Sequence, residues 1–241
     1  MSFGKQARTY KAPEGIKYAG TTDLVCEYNK SIYIIDFKTG TKPKEVNGYP
    51  EWALQTAAYR NAYQSPSVGN AVVHLNKESG EMNFFDYSSS YSQDLEAFSF
   101  LCEYWRNRNP EIKGVPSVTT ITGILDKSGP LIWWAVNSMR EYLFEALNQI
   151  GEKEIGVIHI EREHLYSIIE SARKEFRSVS KKAMDIGTQV HEAIEQWFKT
   201  GMEPSKKVSD AVLAGFVAFL DWTEKNEIKP IATEIVVYGK Y

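Results

Sequence analysis

The sequence predicts an α/β domain with a mixed sheet whose helices are concentrated in the second half of the chain, on three observations. Two β-branched and aromatic runs, residues 17–28 (KYAGTTDLVCEY) and 31–38 (SIYIIDFK), are separated only by Asn29 and Lys30. A second pair of such runs follows at 70–76 (NAVVHLN) and 82–87 (MNFFDY). Beyond residue 117 the spacing of apolar residues is mostly helical, until a last strand from Ile231 to Tyr238.

The first two runs predict a hairpin with a two-residue turn. In the second run Tyr33, Ile35 and Phe37 point to one side, and Ile32, Ile34, Asp36 and Lys38 to the other. Apolar residues on both sides predict a central strand. Pro50 suits the first position of a helix, predicted to run through about Tyr63. The second hairpin turns at Ser79 and Gly80, and a further helix is predicted from about Ser92 to Arg108. Asn109, Pro110, Gly114 and Pro116 then break the pattern, which makes 109–117 the linker candidate. Helices are predicted near 130–149, 161–177, 180–200 and 206–226. Leu165, Ile168, Ile169, Ala172 and Phe176 have the spacing of a core-facing stripe.

A chain of 241 residues suffices for one domain with its own core, read as residues 1–108, the linker and residues 118–241. Hydrophobic residues at 43% and charged residues at 24% exclude a largely disordered chain. A net charge of -3 argues against a protein that coats nucleic acid non-specifically, so any phosphate contact is local. Lys38, Lys42, Lys44, Lys181, Lys182, Lys206 and Lys207 are the candidates for such a patch. Cys26 and Cys102 alone build neither a disulfide framework nor a four-cysteine zinc or iron-sulfur site, so no iron-sulfur cluster is expected. The sequence shows no membrane-spanning run and no secretory signal, so the expected location is the cytoplasm, away from membrane.

The chemistry concentrates in a few positions. Asp23 lies in Gly20-Thr-Thr-Asp23 on one predicted strand, and Asp36-Phe-Lys38 ends the hydrophobic run of the next. Hairpin pairing brings the two carboxylates together. At about 4 Å such a pair repels by roughly 1 kcal/mol in water and several times more when partly buried. A hard divalent cation bound through oxygen, magnesium or manganese, answers both charges. Lys38 on the same strand face as Asp36 can then orient water and meet developing negative charge, and removing it is expected to cost little stability.

Gly187, His191 and Glu195 recur at i, i+4 and i+8 on one helical stripe. A glycine one turn before the histidine costs helix stability and is easiest to explain by a close approach there. His74, His159 and His164 lack such company and are read as structural. Gln55 and Tyr59, one turn apart, supply an amide and a phenol that can hold a phosphate or base of a bound strand.

Together these residues resemble the PD-(D/E)xK nuclease superfamily, and within it the RecB-like exonucleases, whose signature is G-x-x-x-H-x-x-x-E, G-x-x-D, D-x-K and Q-x-x-x-Y. The segment Pro116-Ser-Val-Thr-Thr-Ile with Asp126-Lys-Ser and Trp133-Trp134 also looks like the start of phage and bacterial members. The resemblance implies a restriction-endonuclease-like core that acts on DNA. Asp23, Asp36, His191 and the main-chain carbonyl of Phe37 would be metal ligands, and Lys38 the catalytic lysine. Gln55 and Tyr59 would be substrate-side residues, Glu195 a support and Glu234 an accessory acid. In the family the histidine helix comes first, whereas here it comes after the Asp and Lys motifs, so the order looks circularly permuted. That order requires residues 234–238 to pair antiparallel with residues 18–23. The pairing can form within one chain or by exchange of halves in a homo-oligomer. Hydrolysis of DNA ends is the favoured reading. A structure-specific or restriction-type endonuclease and a catalytically silent DNA-binding module are its rivals.

Overall fold

The computed structural model describes residues 17–40, 47–64, 68–125, 128–150, 160–204 and 207–240. Lys42, Lys44, Asp126, Lys127, His159 and Lys206 lie outside the described residues, as do the side chains of Trp133, Trp134 and Phe176. The chain forms two compact units, Met1–Leu125 with Ile186–Tyr241, and Asp126–Asp185.

In the first unit, β1 (Tyr18–Tyr28), β2 (Ser31–Gly40), α1 (Pro50–Tyr63), β3 (Val68–Asn76), β4 (Met82–Asp86), α2 (Tyr91–Arg108) and the short α3 (Val118–Thr122) come in that order. The strands form a five-stranded sheet with the order β4-β3-β2-β1-β5, where β5 is Lys229–Gly239. The sheet is mixed: β2 and β3 run parallel, and the other neighbours are antiparallel. β2 is therefore the central strand, as its two apolar faces predict. The β1–β2 turn is the two-residue one expected, with Asn29 and Lys30 both left-handed at φ 49° and 62°.

Each face of the sheet has its own core. Ile35, Phe37 and Leu24 pack with Val190 and Ile194 of α5 (Arg162–Thr200) and with Phe216, Phe219 and Trp222 of α6 (Asp210–Lys225). On the other face Ile34 and Val25 pack with Leu54 and Tyr59 of α1, Phe98 and Cys102 of α2, and Ile121 of α3. Helices thus cover both faces, which shields a parallel pair from water.

Two elements differ from expectation. The helices predicted at 161–177 and 180–200 are one, α5, because Ser178, Val179 and Ser180 include neither proline nor glycine to stop a helix. Residues 109–117 are tied back to the sheet: Ala19 N–H donates to the Pro116 carbonyl at 3.0 Å, and Ser117 caps α3 by accepting from Thr120 N–H.

In the second unit, α4 (Ser128–Ile150) and the first turns of α5 supply the helices. Of the predicted stripe, Ile168 and Ala172 are buried, whereas Leu165 stays exposed.

Candidate functional site

The site is built where the sheet forks. The β1–β2 ladder begins at Leu24↔Ile35, and ahead of it side chains of β1 take over the main-chain bonds of β2. Thr22 Oγ1 donates to the Ile35 carbonyl at 3.2 Å, and Phe37 N–H donates to Asp23 Oδ2 at 2.6 Å. A buried N–H demands an acceptor, and here the demand pins Asp23. Across the fork, β5 keeps its antiparallel register with β1 through Thr22↔Ile235 and Leu24↔Thr233, which puts Glu234 opposite Asp23. Glu234 itself is left-handed at φ 51°, a conformation that costs a side-chain-bearing residue free energy.

From β2, Asp36 and Lys38 face α1, whose helical spacing stacks Gln55 above Tyr59. Gln55 Nε2 donates to Asp36 Oδ1 at 3.0 Å and to Tyr59 Oη at 2.8 Å, while its Oε1 accepts from Lys38 Nζ at 3.1 Å. The amide of Gln55 is thereby fully engaged, and it faces the Asp36–Lys38 pair. Lys38 Nζ also lies 2.6 Å from Asp36 Oδ2, an ion pair without a directed hydrogen bond. Tyr59 is buried against the strand: a Cβ on Gly20 would come within 2.4 Å of its Cε1, so the glycine of Gly20-Thr-Thr-Asp23 makes room for the phenol.

On the other face, α5 brings His191 Nδ1 to 3.8 Å from Asp23 Oδ2, with Glu195 one turn further. The close approach expected at Gly187 is that of the protein itself, since a Cβ there would lie 2.7 Å from Thr39 Oγ1 at the end of β2. Asp23, Phe37, His191, Glu195 and Glu234 line one crevice. Glu195 also pairs with Lys199. Of the histidines read as structural, His74 is buried with its ring 5.8 Å from that of Trp52 in a stacked arrangement, and His164 is exposed.

Burial and the neighbouring Asp36 hold the Asp23 carboxyl well above the usual range, against the pull of Phe37 N–H and Lys38. Burial pushes Lys38 down, but Asp36 and Asp23 outweigh it and leave the ammonium above its ordinary value, hence cationic at neutral pH. Burial lowers His191, which favours the neutral imidazole. Burial and Glu195 raise Glu234. Glu51, in the first turn of α1, adds a charge that favours the Lys38 cation and was not singled out from sequence.

Two carboxylates and a neutral imidazole are a donor set suited to a hard divalent cation. Asp36 Oδ2 is buried and ion-paired with Lys38 but accepts no directed hydrogen bond. As placed, the groups do not converge: among the described residues no set of three or more His, Cys, Asp or Glu side chains is arranged to hold a metal ion. Asp36 is turned to Lys38 and Gln55, and Asp23 to the Phe37 amide.

Comparison of the chain with protein-family models, with curated proteins and with solved structures finds no match. The class defined by the fold is that of α/β proteins with a five-stranded mixed sheet flanked by helices. Among the described residues no helix is long and apolar enough to cross a membrane.

Proposed function

We propose that this chain is a metal-dependent DNA nuclease of the PD-(D/E)xK type, similar to the RecB-like exonucleases, with its motifs in circularly permuted order. The observation that carries the reading is that two pairs from three elements, Asp36 with Lys38 on one face and Asp23 with His191 on the other, flank one fork of the sheet. The antiparallel pairing of β5 with β1, which the permuted order requires, supports it.

Asp23, Asp36, His191 and the Phe37 carbonyl would hold magnesium or manganese, which when bound activates water and offsets charge on a phosphodiester. To take up the ion, Asp36 would turn from Lys38 and Gln55, and Asp23 from the Phe37 amide. Lys38, cationic and held by Gln55, meets the negative charge that grows on the phosphoryl oxygens as the water oxygen attacks phosphorus and the leaving oxygen departs with a proton. Gln55 acts through Lys38 and Asp36 here, and Tyr59 steadies Gln55. Glu234 and Glu195 remain accessory acids of the crevice.

One observation favours a rival, a DNA-binding module without catalysis: both Asp36 oxygens are already engaged by Lys38 and Gln55. Digestion of end-labelled linear DNA beside a covalently closed circle, with magnesium or with EDTA, separates the readings. Magnesium-dependent loss of the linear form, absent in Lys38→Ala, is expected. Nicking of the circle would point to an endonuclease, and DNA binding without any cleavage would leave the silent module.

A further inference from the structure

A second cleft, of about 550 Å³, opens between the N-terminus of α1 and the edge strand β4. That is ample for a small planar ligand. Tyr49 and Phe85, both half-buried, line it and each pack edge-to-face on the buried Trp52, with ring centroids 4.9 and 5.6 Å from it. The wall behind them is closely packed: Tyr87 Oη donates to the Asn47 carbonyl at 2.9 Å, and a Cβ on left-handed Gly48 would lie 2.4 Å from Tyr87 Oη. The exposed rim carries Asn47, Asp86 and Ser89, donors and acceptors suited to the edge of a heterocycle.

The cleft is placed with respect to the first site by the sheet register. Asp36 pairs with Val72 and Val72 with Phe85, so Phe85 stands two strand spacings, roughly 10 Å, from Asp36. That is within reach of a neighbouring nucleotide on a strand whose phosphate lies at Asp36 and Lys38. Aromatic rings with a polar rim suit a base. In a duplex the faces of the bases are covered by their neighbours, so only an unpaired base can enter.

We infer that the Tyr49–Phe85 cleft takes one unpaired base of single-stranded DNA beside the site at Asp36 and Lys38. The inference rests on the nuclease reading for its substrate, and makes a single-stranded or frayed end the form that is engaged.

The test is binding of the full chain, in EDTA so that no cleavage intervenes, to a fluorescein-labelled oligothymidylate and to a blunt duplex, read by anisotropy. Tyr49→Ala should weaken single-strand binding roughly tenfold while Tyr49→Phe restores it, since stacking needs the ring and not the hydroxyl. The loss should be the same at low and high salt, because no phosphate contact is removed. Ser89→Trp, at the exposed rim and away from the core, should block the cleft with the same result. Unchanged single-strand binding in a folded Tyr49→Ala or Ser89→Trp, equal loss for the duplex, or no single-strand binding by the wild type would overturn the inference. Single-strand binding through the cleft with no cleavage in magnesium would instead remove the nuclease reading and leave the cleft standing.

Discussion

Asp23 and Phe37 are joined by a bond that a strand would ordinarily make between main chains: the Phe37 N–H donates to Asp23 Oδ2 at 2.6 Å where the β1–β2 ladder has not yet begun. One carboxylate therefore serves both the sheet and the candidate metal site, and the two tasks pull in opposite directions. The sheet needs an acceptor, whereas burial beside Asp36 penalises the charge that makes the acceptor strong.

Asp23→Asn keeps an oxygen for Phe37 and removes the repulsion. Because the folded carboxyl titrates above its unfolded value, its contribution to stability is present at low pH and lost as pH rises through the folded value. At neutral pH without divalent cation the asparagine variant should melt a few degrees higher, on the order of 1 kcal/mol of stabilisation. The wild type should gain melting temperature on addition of magnesium or manganese, and the variant should not. Calorimetry with and without EDTA decides it, and a lower melting temperature for the variant in EDTA would contradict the argument.

Lys38→Ala should abolish cleavage and leave DNA binding in place, because the ammonium is asked to act mainly in the transition state. The expectation from sequence that stability barely changes is revised by the buried ion pair. Without Lys38, Asp36 keeps only Gln55 as partner, and leaving a buried charge without its counter-ion costs about 3–5 kcal/mol. Urea unfolding measures it. Lys38→Ala together with Asp36→Asn should recover most of the loss without recovering cleavage.

Glu234 at φ 51° makes glycine the informative substitution. Glu234→Gly relieves backbone strain of roughly 1 kcal/mol, while Glu234→Ala keeps the strain. The glycine variant should be the more stable of the two by urea titration. If the carboxylate serves the crevice, both should cleave DNA more slowly, and full activity in both would remove Glu234 from the site.

Gly187→Ala sets a Cβ 2.7 Å from Thr39 Oγ1, so either α5 or the end of β2 must shift, and His191 rides on α5. Loss of both stability and cleavage is expected. Thr39→Ala removes the obstructing oxygen, and the double variant should recover much of both. A cycle in which the two substitutions simply add would show that the contact does not set the helix position.

Local periodicity was enough to place the strands and most of the helices. Alternation along Ile32–Lys38 buries both faces of β2, and the two residues between the hairpin runs admit only a tight left-handed turn, found at Asn29 and Lys30. Helix and strand periods likewise located β3, β4, α1, α2 and β5 to within a few residues. The stop predicted between 177 and 180 failed because helix continuity depends on whether a breaker is present, and none is. The pairing of β5 with β1 was expected from the motif order, but the fork was decided only in three dimensions: β2 gives up its ladder to two side chains of β1, and nothing adjacent in the chain encodes that lapse. The engagement of Gln55 is of the same kind, since its bonds to Lys38 and Asp36 join positions 17 and 19 residues apart. Hydrogen bonds form at distances of about 3 Å between heavy atoms. Only the packing of α1 across the sheet brings these atoms to such distances.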